Sequence, residues 1–478
     1  MIHIQNFING TWQDSISKQS FPFYNPAEAI VIGNLPDSEA QDVEQAVQAA
    51  QNVFPIWSKM AANERSKILY KINELLVENL AAFAQAETQN TGKPISLSRS
   101  VDIPRSAQNF EFFSQAITQF SSESHDMPHL KTINYTLRRP IGVVGCISPW
   151  NLPLYLFTWK IAPAIAAGNT VVAKPSEVTP HSAFLLSKIV KKAGLPDGVL
   201  NIVHGFGHKV GEAIVSHPLV KAVSFTGSTK VGKQISAICA NQLKKVSLEL
   251  GGKNPNIIFA DCDFEKAVST TVNSSFRNQG QICLCGSRIL IEASIYDTFK
   301  NAFVEKTKQL KIGNPMDEQT QVGSVVSKTH YEKIITAIQT AVSEGGRILC
   351  GGTNNPMQNG YFVTPTIIEN LDMNCQTNQE EIFGPVVTIT PFHSKEEAIS
   401  LANNTDYGLS ATVWTRDLHK AHHVAEQIQS GIVWVNCWMV RDLRTPFGGV
   451  KNSGLGREGG LEALRFFTEP KNVCIDWG

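Results

Sequence analysis

The sequence predicts an α/β protein whose parallel sheets are covered by helices on both faces, and three observations carry that expectation. From residue 141 onward, short apolar runs (GVVGCISPW, NTVVAKPSE, GVLNIVHG, AVSFTG, KVSLEL) alternate with amphipathic stretches such as HSAFLLSKIVKKA and STKVGKQISAICA. This βαβα rhythm sets successive strands parallel and lays a helix between them. From about residue 251 a second strand and helix series begins, and 478 residues exceed one hydrophobic core, so two or three domains are expected.

Taken in order, residues 5–35 carry short apolar runs broken by Asn-Gly and Asn-Pro, which predicts small strands and turns. Residues 38–90 show helical apolar spacing with a serine start and few breakers. DIPRSAQNFEFF (102–113) continues as a helix with Arg105 near its beginning. SSESHDMPHL (121–130) reads as a loop, and KTINYTLRRP alternates as a strand. In the second half PNIIFA and SRILIEA read as strands, with helices from Asp263, over 296–310 and over 327–345. EIFGPVVTITPF and ATVWTRD read as further strands, and the tail RFFTEPKNVCIDWG is short and extended. No repeat or low-complexity tract interrupts the chain.

Composition narrows the function classes. Forty-two basic residues balance forty-two acidic ones, so nothing favours nucleic acid or an anionic membrane. Nine cysteines, odd in number and without a framework, fit a reducing compartment. The N-terminus MIHIQNFINGTWQ lacks the basic segment and apolar run of a signal peptide, and no run of eighteen apolar residues occurs. A cytoplasmic protein is expected, and no metal site.

The chemistry centres on FRNQGQICLCGSR, residues 276–288. A thiolate attacks carbonyl carbon well and departs well, but an ordinary thiol needs local help to ionise. Cys283 and Cys285 are too close for an easy disulfide, and C-x-C without further partners is a poor zinc site. A lone cysteine is more often a small core hydrophobe.

The surrounding motifs change that balance. F-x-x-x-G-Q-x-C, together with LELGGKNP at 248–255, resembles the two signatures of the NAD(P)-dependent aldehyde dehydrogenase superfamily, and family-like segments recur from about Asn6 to the C-terminus. The resemblance implies an aldehyde dehydrogenase-like fold: a Rossmann-type cofactor domain (1–120 and 141–250), an α/β catalytic domain (251–450) and a small β oligomerisation arm (121–140 and 460–478) building a homodimer or homotetramer. It selects Cys283 as nucleophile, Glu249 as general base for the attacking water, and Asn151 of SPWN as oxyanion donor.

KPSE at 174–177 follows a strand, where an ammonium and a carboxylate can reach ribose hydroxyls. Glu177 would accept from a free 2′-OH and repel a 2′-phosphate, which favours NAD. FTGSTKVG ends a strand and opens a helix whose N–H groups can face pyrophosphate. The family pattern extends the cofactor set to Ile147, Ser148, Pro149, Trp150, Lys174, Ser176, Gly207, Gly211, Phe225, Thr226, Gly227, Ser228, Val231, Gly232 and Leu250. It also assigns Glu381 and Phe383 of EEIFGPV to the nicotinamide ribose.

Substrate class is read from NCWMVRDLRTPFGG. Arginine is unusual where the family lines its aldehyde tunnel, and a guanidinium can grip a carboxylate with two parallel hydrogen bonds. Arg105 and Arg441, with Trp159 and Phe447, resemble the pattern of muconic semialdehyde dehydrogenases. The expected substrate is 2-aminomuconic 6-semialdehyde; 2-hydroxymuconic semialdehyde and betaine aldehyde are the alternatives, the last through an aromatic cage of Trp159 and Trp438.

Overall fold

A computed structural model describes residues 1–478. Two large sheets organise the chain. The first has eight strands in the order Gly454–Leu455, Lys245–Glu249, Val220–Thr226, Val143–Ile147, Thr170–Lys174, Leu200–Ile202, Asn6–Ile8, Thr11–Gln13. Its five central strands run parallel, as the alternation of apolar runs and helices predicts. The second has seven strands in the order Arg347–Cys350, Thr366–Glu369, Val386–Phe392, Gly286–Glu292, Asn254–Ile258, Ser410–Trp414, Ile432–Val435, all parallel but the first.

Helix Ala40–Trp57 packs on the first sheet, while Ala62–Glu78 and Ile103–Ala116 bury their apolar faces against each other and against helix Pro153–Ala166. Trp57, Phe110 and Phe113 are fully buried there, each contributing on the order of 2–3 kcal/mol by transfer from water. Packing therefore fixes these helices more than intrinsic propensity does. The expected serine start differs in detail. Glu39 occupies the N-cap, its N–H donating to Asp42 Oδ2 at 2.9 Å, while Ser38 is buried and accepts from the Asn6 amide at 2.7 Å.

Two sequence expectations need correction. Residues 121–130 are not simply a loop: Ser124–Met127 forms a strand along Thr132–Pro140, which pairs on its other side with Thr468–Asp476. Long-range pairing overrides a polar, breaker-rich sequence there. EIFGPVVTITPF is a strand only from Val386; residues 381–385 leave the ladder, and Phe383 takes φ +60°. No helix is long and apolar enough to cross a membrane, and all nine cysteines are free.

Candidate active site

Helix Phe264–Phe276 is capped by Asp263 and ends at a turn in which Asn278, Gln279 and Gly280 are all left-handed, with φ of 51°, 56° and 70°. The two non-glycine residues cost roughly 1–2 kcal/mol each. Side-chain bonds offset this: Gln279 Nε2 donates to the Gly92 carbonyl at 3.2 Å, and Asn278 Nδ2 to the Asn151 and Gln281 carbonyls at 3.2 Å each. A Cβ on Gly280 would lie 2.1 Å from the Gly384 carbonyl oxygen, so only glycine allows this approach. Beyond the turn, Asn254 Nδ2 donates to the carbonyls of Cys283 at 2.6 Å and Cys285 at 2.9 Å, fixing the loop on the other side.

The two thiols part company here. Cys285 is buried in an apolar cluster with Leu409, Trp434 and Trp438, and burial pushes its pKa up to about 12. Cys283 is partly exposed in a cavity of about 250 Å³ shared with Pro149, Trp150, Asn151, Thr226, Gly227, Ser228, Leu250, Glu381 and Phe383. Burial raises its pKa too, reinforced by the carboxylates of Glu249 and Glu381 and opposed by Arg441. The thiol is thus protonated until something neutralises that environment.

Asn151 precedes helix Pro153–Ala166, and its Nδ2 donates to the Gln281 carbonyl at 2.9 Å. One amide hydrogen anchors the side chain and the other is left to donate into the cavity. The Cys283 N–H makes no intramolecular hydrogen bond, which gives a second donor beside the sulfur.

Glu249 ends its strand, where Gly454 pairs with it and draws the chain around Gly448 over the carboxylate. A Cβ on Gly448 would sit 2.6 Å from Glu249 Oε1. Both carboxylate oxygens are buried without a hydrogen-bond partner. Burial, then repulsion from Glu458, raises the pKa well above the usual carboxylate range, against the pull of Lys160, Arg457 and Arg441. Behind it Glu458 is held by Lys160 Nζ at 2.6 Å and Ser224 Oγ at 2.9 Å.

The residues expected to hold a dinucleotide gather along the carboxyl ends of the first sheet. Lys174 Nζ pairs with Glu177 Oε2 at 2.7 Å. Burial raises the Glu177 pKa, but Lys174 and the Gly207 N–H outweigh it and the carboxyl stays ionised. Ser176 Oγ accepts from Val178 N at 3.2 Å, and Gly211 faces Lys174 and Ile147. Ser228 caps helix Thr229–Asn241 by accepting from Val231 N, so the free N–H groups and positive end of that helix face the cleft. Gly232 packs on Leu250, where a Cβ would meet that side chain at 2.5 Å; at Gly227 a Cβ would meet the Phe225 ring at 2.4 Å. Ser148 Oγ and Thr226 Oγ1 are buried without partners, the condition expected of groups that a polar ligand completes. Across the cleft Glu381 Oε1 accepts from Gly252 N at 2.9 Å, and Phe383 meets Trp150 edge to face at 5.3 Å.

On the opposite side, the Arg441 guanidinium lies 4.0 Å from the Phe447 ring centroid and 5.3 Å from that of Trp159, and its Nη1 donates to Tyr155 Oη at 2.7 Å. Trp159 Nε1 is buried without an acceptor. Arg444 is instead exposed and paired with Asp442 at 2.6 Å, and Arg105 lies close enough to help hold the Asp442 carboxyl low, at about 2. Trp438 Nε1 donates to the Leu284 carbonyl at 3.0 Å, which commits that indole to the loop.

Sequence reasoning passed over four contributors. His330 and Lys333 line the Cys283 cavity, Tyr155 accepts from Arg441, and Gly448 lies over Glu249. Tyr155 lies in the first turn of the helix that Asn151 precedes, and that closeness in sequence could have flagged it. The others come from distant segments and carry no local signal.

Comparison with known proteins agrees with this geometry. The aldehyde dehydrogenase family model matches residues 12–473. A 2-aminomuconic semialdehyde dehydrogenase from Danio rerio is 50% identical, covering 99% of this chain and 98% of the relative. A 2-hydroxymuconic semialdehyde dehydrogenase from Pseudomonas sp. (strain CF600) is 45% identical, covering 99% of this chain and 100% of the relative. The NAD⁺ complex of an aldehyde dehydrogenase from Bacillus cereus superimposes with a TM-score of 0.98 at 38% identity, covering 100% of this chain and 97% of that one. A cysteine open to a cleft lined by dinucleotide-type elements, on a fold and sequence matched from end to end, makes this chain a member of the NAD(P)-dependent aldehyde dehydrogenase family, an oxidoreductase that turns aldehydes into carboxylic acids.

Proposed function

We propose that the protein oxidises 2-aminomuconic 6-semialdehyde to 2-aminomuconate with NAD⁺, through a thioester on Cys283. The observation that carries the mechanism is the opening of Cys283 into the cleft it shares with Trp150, Thr226, Ser228, Glu381 and Phe383. When bound, the oxidised nicotinamide supplies a cationic ring that favours the thiolate, and it accepts the hydride. Cys283 Sγ adds to the aldehyde carbon, and the oxyanion is held by the Asn151 amide and the Cys283 N–H. Loss of hydride from that carbon leaves the thioester. Glu249 then takes a proton from water as it attacks the acyl carbon, releasing the acid and the thiol. Glu249 must turn toward the thioester and act in its ionised form, which burial disfavours in its present position.

The carboxylated substrate rests on Arg441 and on the relatives bearing the semialdehyde dehydrogenase names. Arg441 has aromatic neighbours and a phenol but no acid partner, so its remaining N–H groups can hold a substrate carboxylate, with Arg105 within electrostatic reach of the adjoining Asp442. Betaine aldehyde fits less well. The face of Trp159 that would receive a quaternary ammonium carries the Arg441 cation, and Trp438 is tied to Leu284. Ionised Glu177 supports NAD over NADP by repelling a 2′-phosphate.

Residues 1–120 and 141–250 form the cofactor domain and also lend Asn151 and Glu249 to the reaction, while 251–450 form the catalytic domain that carries Cys283 and lends Glu381 and Phe383 to the cofactor. Segments 121–140 and 460–478 associate subunits into a homodimer or homotetramer. In support of the last, they form a separate three-stranded sheet with exposed outer strands, available for pairing. A panel of aldehydes with NAD⁺ and NADP⁺, read by NAD(P)H absorbance, tests the reading. Better turnover of acetaldehyde or betaine aldehyde than of carboxylated semialdehydes would overturn the substrate assignment.

A further inference from the structure

A second cavity, of about 660 Å³, opens between helix Phe264–Phe276 and residues 94–100 and 306–322, and it shares no lining residue with the cleft around Cys283. Its charges are unbalanced. Arg277 and Lys306 face it, and neither makes an ion pair or a side-chain hydrogen bond. The acid nearest Arg277, Asp102, is held by Lys93 at 2.5 Å. The one acid on the wall, Glu318, is held by Arg99 at 2.6 Å. Two cations therefore share this wall with Glu318 as its one acid, and neither has an ion-pair partner of its own, an arrangement that favours a further anion.

The geometry points to a second ligand site here, for a small dicarboxylate whose two ends meet Arg277 and Lys306. The Gln321 amide can donate a further hydrogen bond, while Leu97 and Leu310 offer apolar surface to the carbon chain between the two ends. The volume falls in the range of ordinary small-molecule sites. A single compact anion such as phosphate would satisfy one cation and leave the other, along with the apolar wall, unused. The choice of a six-carbon probe rests on the proposed function, since oxidation of a carboxylated six-carbon semialdehyde yields a dicarboxylate.

Calorimetric titration of the full-length enzyme with adipate at low ionic strength tests it. Saturable binding is expected in the wild type and is retained in Arg441→Gln, which removes the arginine proposed for the catalytic side. Arg277→Gln combined with Lys306→Gln should weaken it at least tenfold, and Arg277→Lys should restore most of the loss. Neither side chain has a partner to orphan, so the variants should fold, which circular dichroism confirms. Unchanged affinity in the double variant, equal binding of neutral adipamide, loss of all binding in Arg441→Gln, or displacement by equimolar inorganic phosphate would each overturn the site. A failed substrate panel would not, because the readout is binding at Arg277 and Lys306 rather than turnover.

Discussion

Removing the Arg441 guanidinium should turn a carboxylate-selective enzyme into an indifferent one. The side chain is half-buried, stacked within 4.0 Å of Phe447 and tied to Tyr155 at 2.7 Å, so its position is set before substrate arrives and little entropy is lost on binding. Hydrogen bonds to a charged partner are worth about 1.5–3 kcal/mol each. A bidentate grip minus the desolvation of the incoming carboxylate leaves roughly 3 kcal/mol, or about a hundredfold in kcat/KM. Arg441→Gln keeps the length and some hydrogen bonding but removes the charge. The assay compares a six-carbon semialdehyde with the neutral aldehyde of equal length, following NADH. The carboxylated substrate should lose about a hundredfold, mostly in KM, and the neutral one less than threefold on the same scale. Equal losses for both would show that Arg441 shapes the tunnel without holding a carboxylate.

Other outcomes follow from the same geometry. Asn151→Ala removes an oxyanion donor and the 2.9 Å tether to Gln281, and should cost about 3 kcal/mol, a hundredfold or more in kcat, in single-turnover NADH formation. Glu177→Ser removes the ionised carboxyl beside Lys174 and should raise the NADP⁺ to NAD⁺ ratio of kcat/KM at least tenfold. The folded pKa of Glu249 is raised, so the folded state holds its proton longer than the unfolded state. Stability from this group is full below the ordinary carboxylate range and falls as pH rises toward the raised folded pKa. Glu249→Gln should therefore gain thermal stability relative to wild type at pH 8, with the difference shrinking toward pH 4. It should also remove the rise of thioester hydrolysis with pH.

The parallel sheets were legible because each buried strand is a short apolar run and each helix between them is amphipathic. Ser124–Met127 was hidden: SHDM has no apolar alternation, and only its partner Thr132–Pro140 makes it a strand. Phe383 was readable as a site residue through its motif, but not its left-handed backbone, which depends on packing against Trp150 and the His330 bond to its carbonyl at 2.8 Å. The left-handed run at Asn278 to Gly280 is likewise a tertiary product, held by Asn151 and by the carbonyl of Gly92, far away in sequence. Burial of Glu249 under Gly448, and its company with Glu458 and Lys160, joins segments far apart in the chain, beyond the reach of any local pattern.

Whether the sulfur at position 283 carries the acyl group is measured most directly by rapid acid quench of the Glu249→Gln enzyme turning over aldehyde with NAD⁺, followed by peptide mass mapping. The acyl mass should accumulate on Cys283 with one NADH formed per labelled site. Its appearance on Cys285, or undiminished turnover by Cys283→Ala, would contradict the assignment of the nucleophile.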